Sequence, residues 1–285
     1  MIYLDYIVFP SEDREYNFIL GEKRTCYDTF YPFKTLSKRD LRRIDFESIT
    51  ILCGGNGSGK TTALNVIAEK LQLHRDSIYN KSNFFPDYVN MCNVEFAEAV
   101  PLKSRIITSD DVFDYMLNIR NLNEGIDEKR KDLFRDYLDT KYSKFQFRSL
   151  DDYEQLKKVN RVRSSTQSKY IRSELMDNVR EYSNGESAFR YFAEKIEEDG
   201  LYLLDEPENS LSPENQLKLK SLIEDSVRYF GCQFVISTHS PFLLSMKGAK
   251  IYDMDENPVD LKHWTEVKNV KTYYQFFKEH REEFE

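Results

Sequence analysis

The sequence predicts an α/β fold in which a parallel sheet carries a glycine-rich loop, and three observations indicate this class. First, the β-branched segment Ser48–Cys53 has the pattern of a buried strand and leads directly into the glycine-rich loop Gly54–Thr61, which a helical pattern follows. Second, apolar runs return at Leu201–Leu204 and Cys232–Ser237, as expected for further buried strands. Third, the polar, helical stretch of residues 111–182 separates these parts and predicts an inserted helical subdomain.

Length and composition suit a single globular domain over residues 1–285. Hydrophobic residues make up 40% and charged residues 32% of the chain, values that allow a sizeable core. The net charge of −8 argues against non-specific coating of nucleic acid. The four cysteines form no Cys-x-x-Cys pair, which favours a reducing compartment. No apolar run reaches the roughly 18 residues that cross a bilayer, so we expect a cytoplasmic protein without membrane insertion.

The first 53 residues are predicted to form an antiparallel β part. The charged segment Lys38–Arg43 interrupts it as a turn or a helix, because it is too polar for a core strand. After the glycine loop, the pattern predicts a helix over Lys60–Leu73, a strand at Ile106–Ile107 and a helix over Val112–Leu122.

The α/β pattern returns after residue 200. Pro213 is predicted to open a helix with Ser212 as its cap, because proline is favoured in the first helical turn and serine satisfies free N–H groups there. The last predicted elements are a strand over Ala249–Met254 and a helix over Tyr273–Phe284.

The glycine-rich loop has the spacing Gly-x-x-x-x-Gly-Lys-Thr that binds the phosphates of a nucleotide. Its glycines let successive N–H groups turn toward phosphate oxygens, and the following helix adds the positive end of its dipole. Lys60 is expected to reach the β- and γ-phosphates, and the Thr61 hydroxyl to ligate Mg²⁺. The full set of predicted ligands is Gly54, Asn56, Gly57, Ser58, Gly59, Lys60, Thr61 and Thr62.

The apolar run Leu201–Leu204 ends in two carboxylates, Asp205 and Glu206. We expect Asp205 to hold Mg²⁺ and Glu206 to act as the general base that polarises an attacking water. The alternative is an ordinary strand followed by a charged turn, which the phosphate loop upstream disfavours.

His239 follows a further predicted strand, Phe234–Ser237. Because neighbouring parallel strands end at one crevice, its imidazole can hydrogen-bond a γ-phosphate oxygen and the catalytic water. A lone histidine at a strand end also occurs in structural roles, and both interpretations are carried forward.

Taken together, these segments resemble the ATP-binding-cassette (ABC) ATPases. Gly54–Thr61 resembles the family's first phosphate motif, Leu201–Glu206 its second, and His239 its switch histidine. Tyr182–Ser187 resembles the signature segment, and Ser210–Pro213 the loop that touches the opposite subunit.

The resemblance extends from residue 48 to about residue 254 and implies a P-loop NTPase core. The phrases Leu203–Pro213 and Ser237–Leu244 resemble the stand-alone branch of the family. That branch includes relatives of chromosome-maintenance and double-strand-break-repair ATPases, and many ATPases of bacterial anti-phage systems. The signature here, Ser-Asn-Gly-Glu-Ser, departs from the Leu-Ser-Gly-Gly-Gln that transporter cassettes more often carry.

The resemblance also implies a mechanism in which two copies pack head to tail around two ATP molecules with Mg²⁺. Ser183, Gly185 and Glu186 of one copy would then meet the γ-phosphate that Lys60 of the other copy holds. Gly185 and Glu186 begin a predicted helix, whose N-terminus favours an anion. A simple helix cap is the alternative for this segment.

Two positions of the family pattern are not settled by the sequence. The glutamine that usually precedes the helical subdomain is missing from residues 106–111, where Ser109 or Asp110 is a candidate substitute. Tyr31 and Phe33 lie where an adenine-stacking aromatic is often found, but 14% of the chain is aromatic, so chance is a rival explanation.

A basic run extends from Lys157 to Arg172, with six cationic residues and no acidic one. One interpretation is a contact with nucleic acid or an acidic partner, and the other is a solvated surface.

The leading functional hypothesis is an ATPase that dimerises on ATP and drives a nuclease, a toxin or DNA. The alternatives are the energy subunit of a membrane transporter and a non-hydrolysing ATP sensor.

Overall fold

The computed structural model describes residues 1–24, 26–146, 149, 152–179 and 184–284, and it divides into two compact units. The first unit comprises Met1–Phe113 and Asn184–Glu285, and the second comprises Asp114–Ser183. Tyr182 and Ser183 of the predicted signature lie outside the described residues.

A six-stranded sheet forms the centre of the first unit. Its strands follow the spatial order β5-β6-β7-β3-β8-β9, and every neighbouring pair is parallel except β8 and β9. The predicted α/β class with a parallel sheet is therefore confirmed. The strands are β3 (Ile49–Cys53), β5 (Arg105–Thr108), β6 (Leu201–Asp205), β7 (Gln233–Ser237), β8 (Lys250–Asp253) and β9 (Asp260–Leu261).

An antiparallel sheet of three strands accompanies it, as predicted for the N-terminal part. It consists of β1 (Leu4–Val8), β2 (Arg43–Asp45) and β4 (Asn93–Phe96), with β1 in the middle. β4 comes from beyond the first 53 residues, so the chain returns to this sheet after the glycine loop and α2 (Lys60–Lys70).

Helices α8 and α1 of the first unit both begin at a serine N-cap. Ser212 accepts a hydrogen bond from the Asn215 N–H and caps α8, which starts at Pro213 as predicted. Ser11 caps α1 in the same way, although the sequence pattern predicts no helix at this position. The helices of this unit besides α2 are α1 (Glu12–Gly21), α3 (Phe85–Met91), α7 (Asn184–Lys195), α8 (Pro213–Tyr229), α9 (Pro241–Leu244) and α10 (Lys268–Glu279).

Two predicted boundaries differ from the structure. The charged segment Lys38–Arg43 overlaps a short 3-10 turn at Ser37–Arg39, and its last residue, Arg43, begins β2. The last helix, predicted over Tyr273–Phe284, starts five residues earlier at Lys268 and ends at Glu279, where a separate turn follows.

One face of the parallel sheet, helix α2 and the antiparallel sheet share a single hydrophobic core. Leu201 and Leu203 of β6 belong to this core with Ala63 and Leu64 of α2 and Ile7 of β1. Alternate residues of a strand point to opposite faces, so every second position of β6 enters the core. This packing fixes the start of α2, and hence the glycine loop before it, against the sheet.

The second unit is helical. Its longest helix is α4 (Ser109–Tyr142), which begins in the first unit, and α5 (Tyr153–Ser164) and α6 (Gln167–Glu174) follow. Its small core contains Tyr137, Val162, Tyr170 and Ile171. The predicted subdomain boundary of residues 111–182 stays a prediction. Nowhere in the described parts of either unit does a helix combine the length and apolar composition that a bilayer crossing requires.

Candidate nucleotide site

The polar ends of three strands meet at one edge of the six-stranded sheet. β7 pairs with both β6 and β3, so Ser237 lies opposite Asp205 on one side and opposite Leu52 on the other. The loops that follow these strands therefore leave the sheet side by side. This edge carries the glycine loop, the acidic pair and the loop of His239.

Two glycines allow the backbone of the phosphate loop to turn. Gly54 has a φ of 146° and Gly59 a φ of 99°, in the left-handed region that other residues resist. Gly59 is also the N-cap of α2, and a Cβ there would lie 3.1 Å from Cδ2 of Leu36. Gly59 therefore joins the loop directly to the N-terminus of α2, where the positive end of the helix dipole favours an anion.

The middle of the loop faces open space on one side and the protein on the other. Asn56 and Gly57 are exposed, whereas Ser58 is buried. Among the described residues, the Ser58 hydroxyl has no hydrogen-bond partner, which fits a group that receives a ligand oxygen. Asn56 and His239 both line one cavity of about 510 Å³.

Lys60 lies across the loop and points toward the acidic strand. Its Nζ donates to the carbonyl oxygens of Gly54 at 2.9 Å and Gly55 at 3.0 Å, and lies 3.7 Å from Oε1 of Glu206. The side chain is buried. A phosphate oxygen that entered the loop would replace these carbonyls as the partner of a preplaced ammonium group.

Thr61 and Asp205 are brought together although 144 positions separate them. The Thr61 hydroxyl donates to Oδ1 of Asp205 at 3.1 Å. Burial raises the pKa of Asp205 to about 6, and the hydroxyl of Thr61 only partly opposes that shift. The pair offers two oxygen ligands of the kind that Mg²⁺ prefers.

Glu206 has an unusual backbone for a glutamate. Its φ is 47°, in the left-handed region, and such strain is concentrated at functional sites. Its N–H donates to the carbonyl of Ser237 at 2.9 Å, and its Oε2 accepts from Nδ2 of Asn209 at 3.0 Å. These contacts hold the partly exposed carboxylate beside Lys60.

His239 leaves β7 with its side chain 42% exposed. Its Nδ1 lies 3.2 Å from Oε1 of Glu208, which is buried, and its carbonyl accepts from Nδ2 of Asn269 at 2.6 Å. The imidazole is therefore tethered on one side and open on the other.

The aromatic candidates and Thr62 have different surroundings. The Thr62 hydroxyl forms a hydrogen bond with the Tyr31 hydroxyl at 3.1 Å, so Thr62 faces Tyr31 rather than open space. Phe33 is buried and stacks on Phe18 with 4.8 Å between ring centroids. Phe33 is thus unavailable for stacking on a base, and the role predicted for Thr62 stays a prediction.

Gly185 and Glu186 lie in the first turn of α7, and the structure places Gly185 beside the start of α8. A Cβ at Gly185 would lie 3.5 Å from the backbone nitrogen of Ser212 and 2.9 Å from Nδ2 of Asn215. Gly185 therefore adjoins the Ser210–Pro213 loop, the other segment that resembles a contact with an opposite subunit.

The position of the missing glutamine contains a buried acid instead. Asp111 is buried, and its Oδ2 accepts from the N–H of Thr108 at 2.6 Å and from its hydroxyl at 2.9 Å. Thr108 is the register partner of Asp205 on the neighbouring strand. The suggested substitutes Ser109 and Asp110 stay predictions, and Asp111 is the residue of this segment that the fold ties to the site.

Two acidic residues near the site were not predicted from the sequence. Asp255 accepts the Gly55 N–H with both carboxylate oxygens at 2.9 Å, and Glu208 holds the His239 loop. Both follow a strand of the parallel sheet within three residues, which is a signal that could have marked them.

Three of the six cationic side chains of the basic run form ion pairs within their own unit. Lys158 pairs with Asp136 at 2.6 Å, and Arg161 with Glu174 at 2.6 Å. Lys157 pairs with Glu154. These pairs favour the solvated-surface interpretation for this part of the run.

The fold and the loop geometry define a phosphate-loop nucleotide-binding protein. A family model described as "ABC transporter" matches residues 43–209, and one described as "AAA ATPase domain" matches residues 184–244. The first match spans more than half of the chain, so the chain belongs to the ABC family of ATPases. The search of curated proteins gave no match.

Solved structures with a similar fold include two SMC head domains and an ABC cassette. The SMC head domain from Thermotoga maritima is 12% identical, with a TM-score of 0.41 and coverage of 92% of this chain and 99% of that one. The Pyrococcus furiosus Smc head bound to the C-terminal domain of ScpA is also 12% identical, with a TM-score of 0.43 and coverage of 99% and 100%. A nucleotide-free cassette from an ABC transporter is 14% identical, with a TM-score of 0.40 and 96% coverage of both chains.

Proposed function

We propose that this chain hydrolyses ATP with Mg²⁺ between two head-to-tail copies and uses the cycle to move a bound partner. The observation that carries the proposal is the convergence of Lys60, Thr61, Asp205 and Glu206 at one edge of the sheet. Membership of the ABC family supports nucleotide binding by the same loop. Nucleotide binding by the loop requires no further element, whereas hydrolysis depends on the acidic pair and His239.

The glycine loop and Lys60 bind the triphosphate. Backbone N–H groups from Gly57 to Thr61 and the N-terminus of α2 supply donors for phosphate oxygens. Lys60 is already held between the loop and Glu206, so little rearrangement separates its present position from a phosphate contact.

Thr61 and Asp205 fit a magnesium ion. They supply a hydroxyl and a carboxylate oxygen 3.1 Å apart, and the raised pKa of Asp205 shows a carboxylate that lacks enough stabilisation of its charge. When bound there, Mg²⁺ neutralises charge on the phosphates during transfer.

Glu206 accepts a proton from the attacking water, and His239 hydrogen-bonds the same water. Glu206 is held by Asn209 and Lys60 in a strained backbone position, which fixes its carboxylate at the site. His239 lines the same cavity as Asn56.

The second copy supplies the signature segment. A Cβ at Gly185 would lie beside Ser212 and Asn215, whereas Lys60 lies beside Glu206, and this supports the proposal that the two sets of motifs are separate half-sites on one chain. Two copies related by a twofold axis bring each half-site to its complement. The resulting opening and closing would act on a nuclease, a toxin or DNA.

Replacement of Glu206 by glutamine tests this function. The Glu206→Gln variant is expected to bind ATP, to lose about 10²–10⁴-fold in turnover because the general base is gone, and to accumulate as an ATP-bound dimer. Turnover is measured by phosphate release, and mass by light scattering with and without Mg·ATP.

The matched control is Glu198→Gln, because Glu198 is exposed in the loop before β6. This variant should keep wild-type turnover and should not be trapped. A Glu206→Gln protein that stays monomeric at saturating ATP would contradict the dimer, and one that keeps wild-type turnover would contradict the role of Glu206.

A further inference from the structure

A buried carboxylate joins the loop after β6 to the loop after β7. Glu208 lies in the short turn Pro207–Ser210 and is only 6% exposed. Its Oε1 accepts from the Thr238 hydroxyl at 2.7 Å and from the His239 N–H at 2.7 Å. Its Oε2 is also buried and has no hydrogen-bond partner among the described residues.

The same oxygen also lies close to the ring of His239 and favours one of its two nitrogens as the site of the proton. Nδ1 of His239 lies 3.2 Å from Oε1 of Glu208. An ionised carboxylate can only accept, so its charge at this ion-pair distance favours a proton on Nδ1. Nε2 of the neutral ring is then unprotonated and can accept a hydrogen bond, for example from a water molecule.

A purely structural explanation accounts for only part of this arrangement. A neutral acceptor would satisfy the N–H and hydroxyl donors of the loop without placing a charge in the interior, where a carboxylate carries a large desolvation penalty. The carboxylate adds a fixed orientation of the imidazole, in the way that a buried acid orients the histidine of a hydrolytic triad.

We propose that Glu208 is a positioning residue for ATP hydrolysis, which holds the His239 loop and turns Nε2 of His239 toward the attacking water, whose O–H it accepts. The inference rests on the proposed function for its kinetic consequence but not for the contact itself. Glu208 touches neither the glycine loop nor the Thr61–Asp205 pair in its described contacts, so it should affect turnover and not ATP binding.

Steady-state kinetics separate positioning from a general loss of structure. Glu208→Ala is expected to lower kcat about 10–100-fold, because it removes the residue that orients a functional side chain. The KM for ATP should stay within about twofold of the wild-type value. Glu208→Gln keeps an acceptor oxygen at the Oε1 position and should recover kcat to within about threefold of wild type. Glu198→Ala and Glu198→Gln are the matched controls and should retain wild-type values.

Nitrogen NMR of the histidine rings gives a readout without nucleotide. In the wild-type protein, the neutral His239 ring is expected as the Nδ1–H tautomer, and in Glu208→Ala as a mixture that includes Nε2–H. His239→Gln assigns the signal among the four histidines.

An Nε2–H tautomer in the wild-type protein overturns the proposal, and so does a Glu208→Ala protein with unchanged kcat. A Glu208→Ala protein that fails to fold leaves the wild-type spectrum as the deciding measurement. Loss of hydrolysis in every protein, wild type included, refutes the proposed function, while the wild-type spectrum still decides the Glu208 contact.

Discussion

Adjacent carboxylates after β6 have opposite surroundings. Asp205 is buried, and its pKa is raised to about 6, because the ionised form has lost most of its hydration. Glu206 is partly exposed and is held by Asn209 in a left-handed backbone conformation. One peptide step therefore separates the proposed magnesium ligand, which is buried, from the proposed general base, which is partly exposed.

A second buried acid, Glu15, makes the stability of the fold depend on pH. Burial raises its pKa, while the Lys34 N–H and the Ser37 hydroxyl donate to its Oε2 and oppose the shift. The folded protein therefore binds this proton more tightly than the unfolded chain does. The stabilisation is complete below the unfolded pKa, about 4, and declines as the pH rises through the folded pKa.

Glu15→Gln should remove this pH dependence. Glutamine stays neutral and keeps an acceptor for the two donors, so the free energy of unfolding of wild type should fall relative to the variant as the pH rises from about 4 to 8. Denaturant titrations at several pH values measure the difference, with the exposed Glu98→Gln as control. A difference that is constant with pH, or that favours wild type at high pH, would contradict the assignment.

At the scale of elements, α8 connects the loop expected to touch a second copy with the loop that carries His239. Nε2 of Gln216 donates to the Leu211 carbonyl at 3.0 Å, and Oε1 accepts from the Ser240 hydroxyl at 2.7 Å. The Ser240 N–H in turn donates to the Thr238 hydroxyl, which donates to Glu208. These hydrogen bonds form a continuous connection from Leu211 in the Ser210–Pro213 loop to Glu208, which accepts the His239 N–H.

Gln216→Leu should break this connection at its centre. The Leu211 carbonyl and the Ser240 hydroxyl would lose their partner, so the free energy of unfolding should fall by about 1–3 kcal/mol. Chemical denaturation measures this loss. Gln275→Leu, on the exposed helix α10, is the control and should change stability by less than about 0.5 kcal/mol. Equal losses in the two variants would show that the connection adds nothing beyond a surface hydrogen bond.

The elements that were predicted correctly have local signals. The start of α8 is marked by the adjacent residues Ser212 and Pro213, and β6 is marked by an uninterrupted run of apolar residues before Asp205. Helix α1 was missed because its one buried residue is Glu15, so it has no apolar stripe to detect. β9 has two exposed residues and depends on β8 for its pairing, which no local pattern reveals.

At the scale of the whole molecule, the motifs could be predicted but several of their contacts could not. The spacing around Lys60 and the Asp205–Glu206 pair are visible in the sequence because each motif is short and contiguous. The contact of Glu208 with His239 spans 31 positions and exists because β7 lies directly beside β6. Strand order is a tertiary property, so this part of the site required the structure.

The separation of the motifs into two half-sites on one chain can be tested by mixing inactive variants. Lys60→Ala disables the half-site with the phosphate loop, and Gly185→Asp disables the signature half-site by placing a negative charge where a γ-phosphate would bind. In a mixed dimer of the two, one composite site has both defects and the other has none. An equal mixture should therefore regain about a quarter of wild-type turnover, since half of the dimers are mixed and each has one intact site.

The control for this experiment is a mixture of Lys60→Ala with Glu206→Gln. Both changes lie in the same half-site, 3.7 Å apart in the structure, so every composite site in every dimer keeps one of the two defects. Phosphate release from this mixture should stay at the level of the separate variants, whatever the rate at which subunits exchange. If the Lys60→Ala and Gly185→Asp mixture stays equally inactive, the signature of each chain acts on its own nucleotide or not at all. Recovery in that mixture alone can arise only when the residues around one ATP come from two polypeptides.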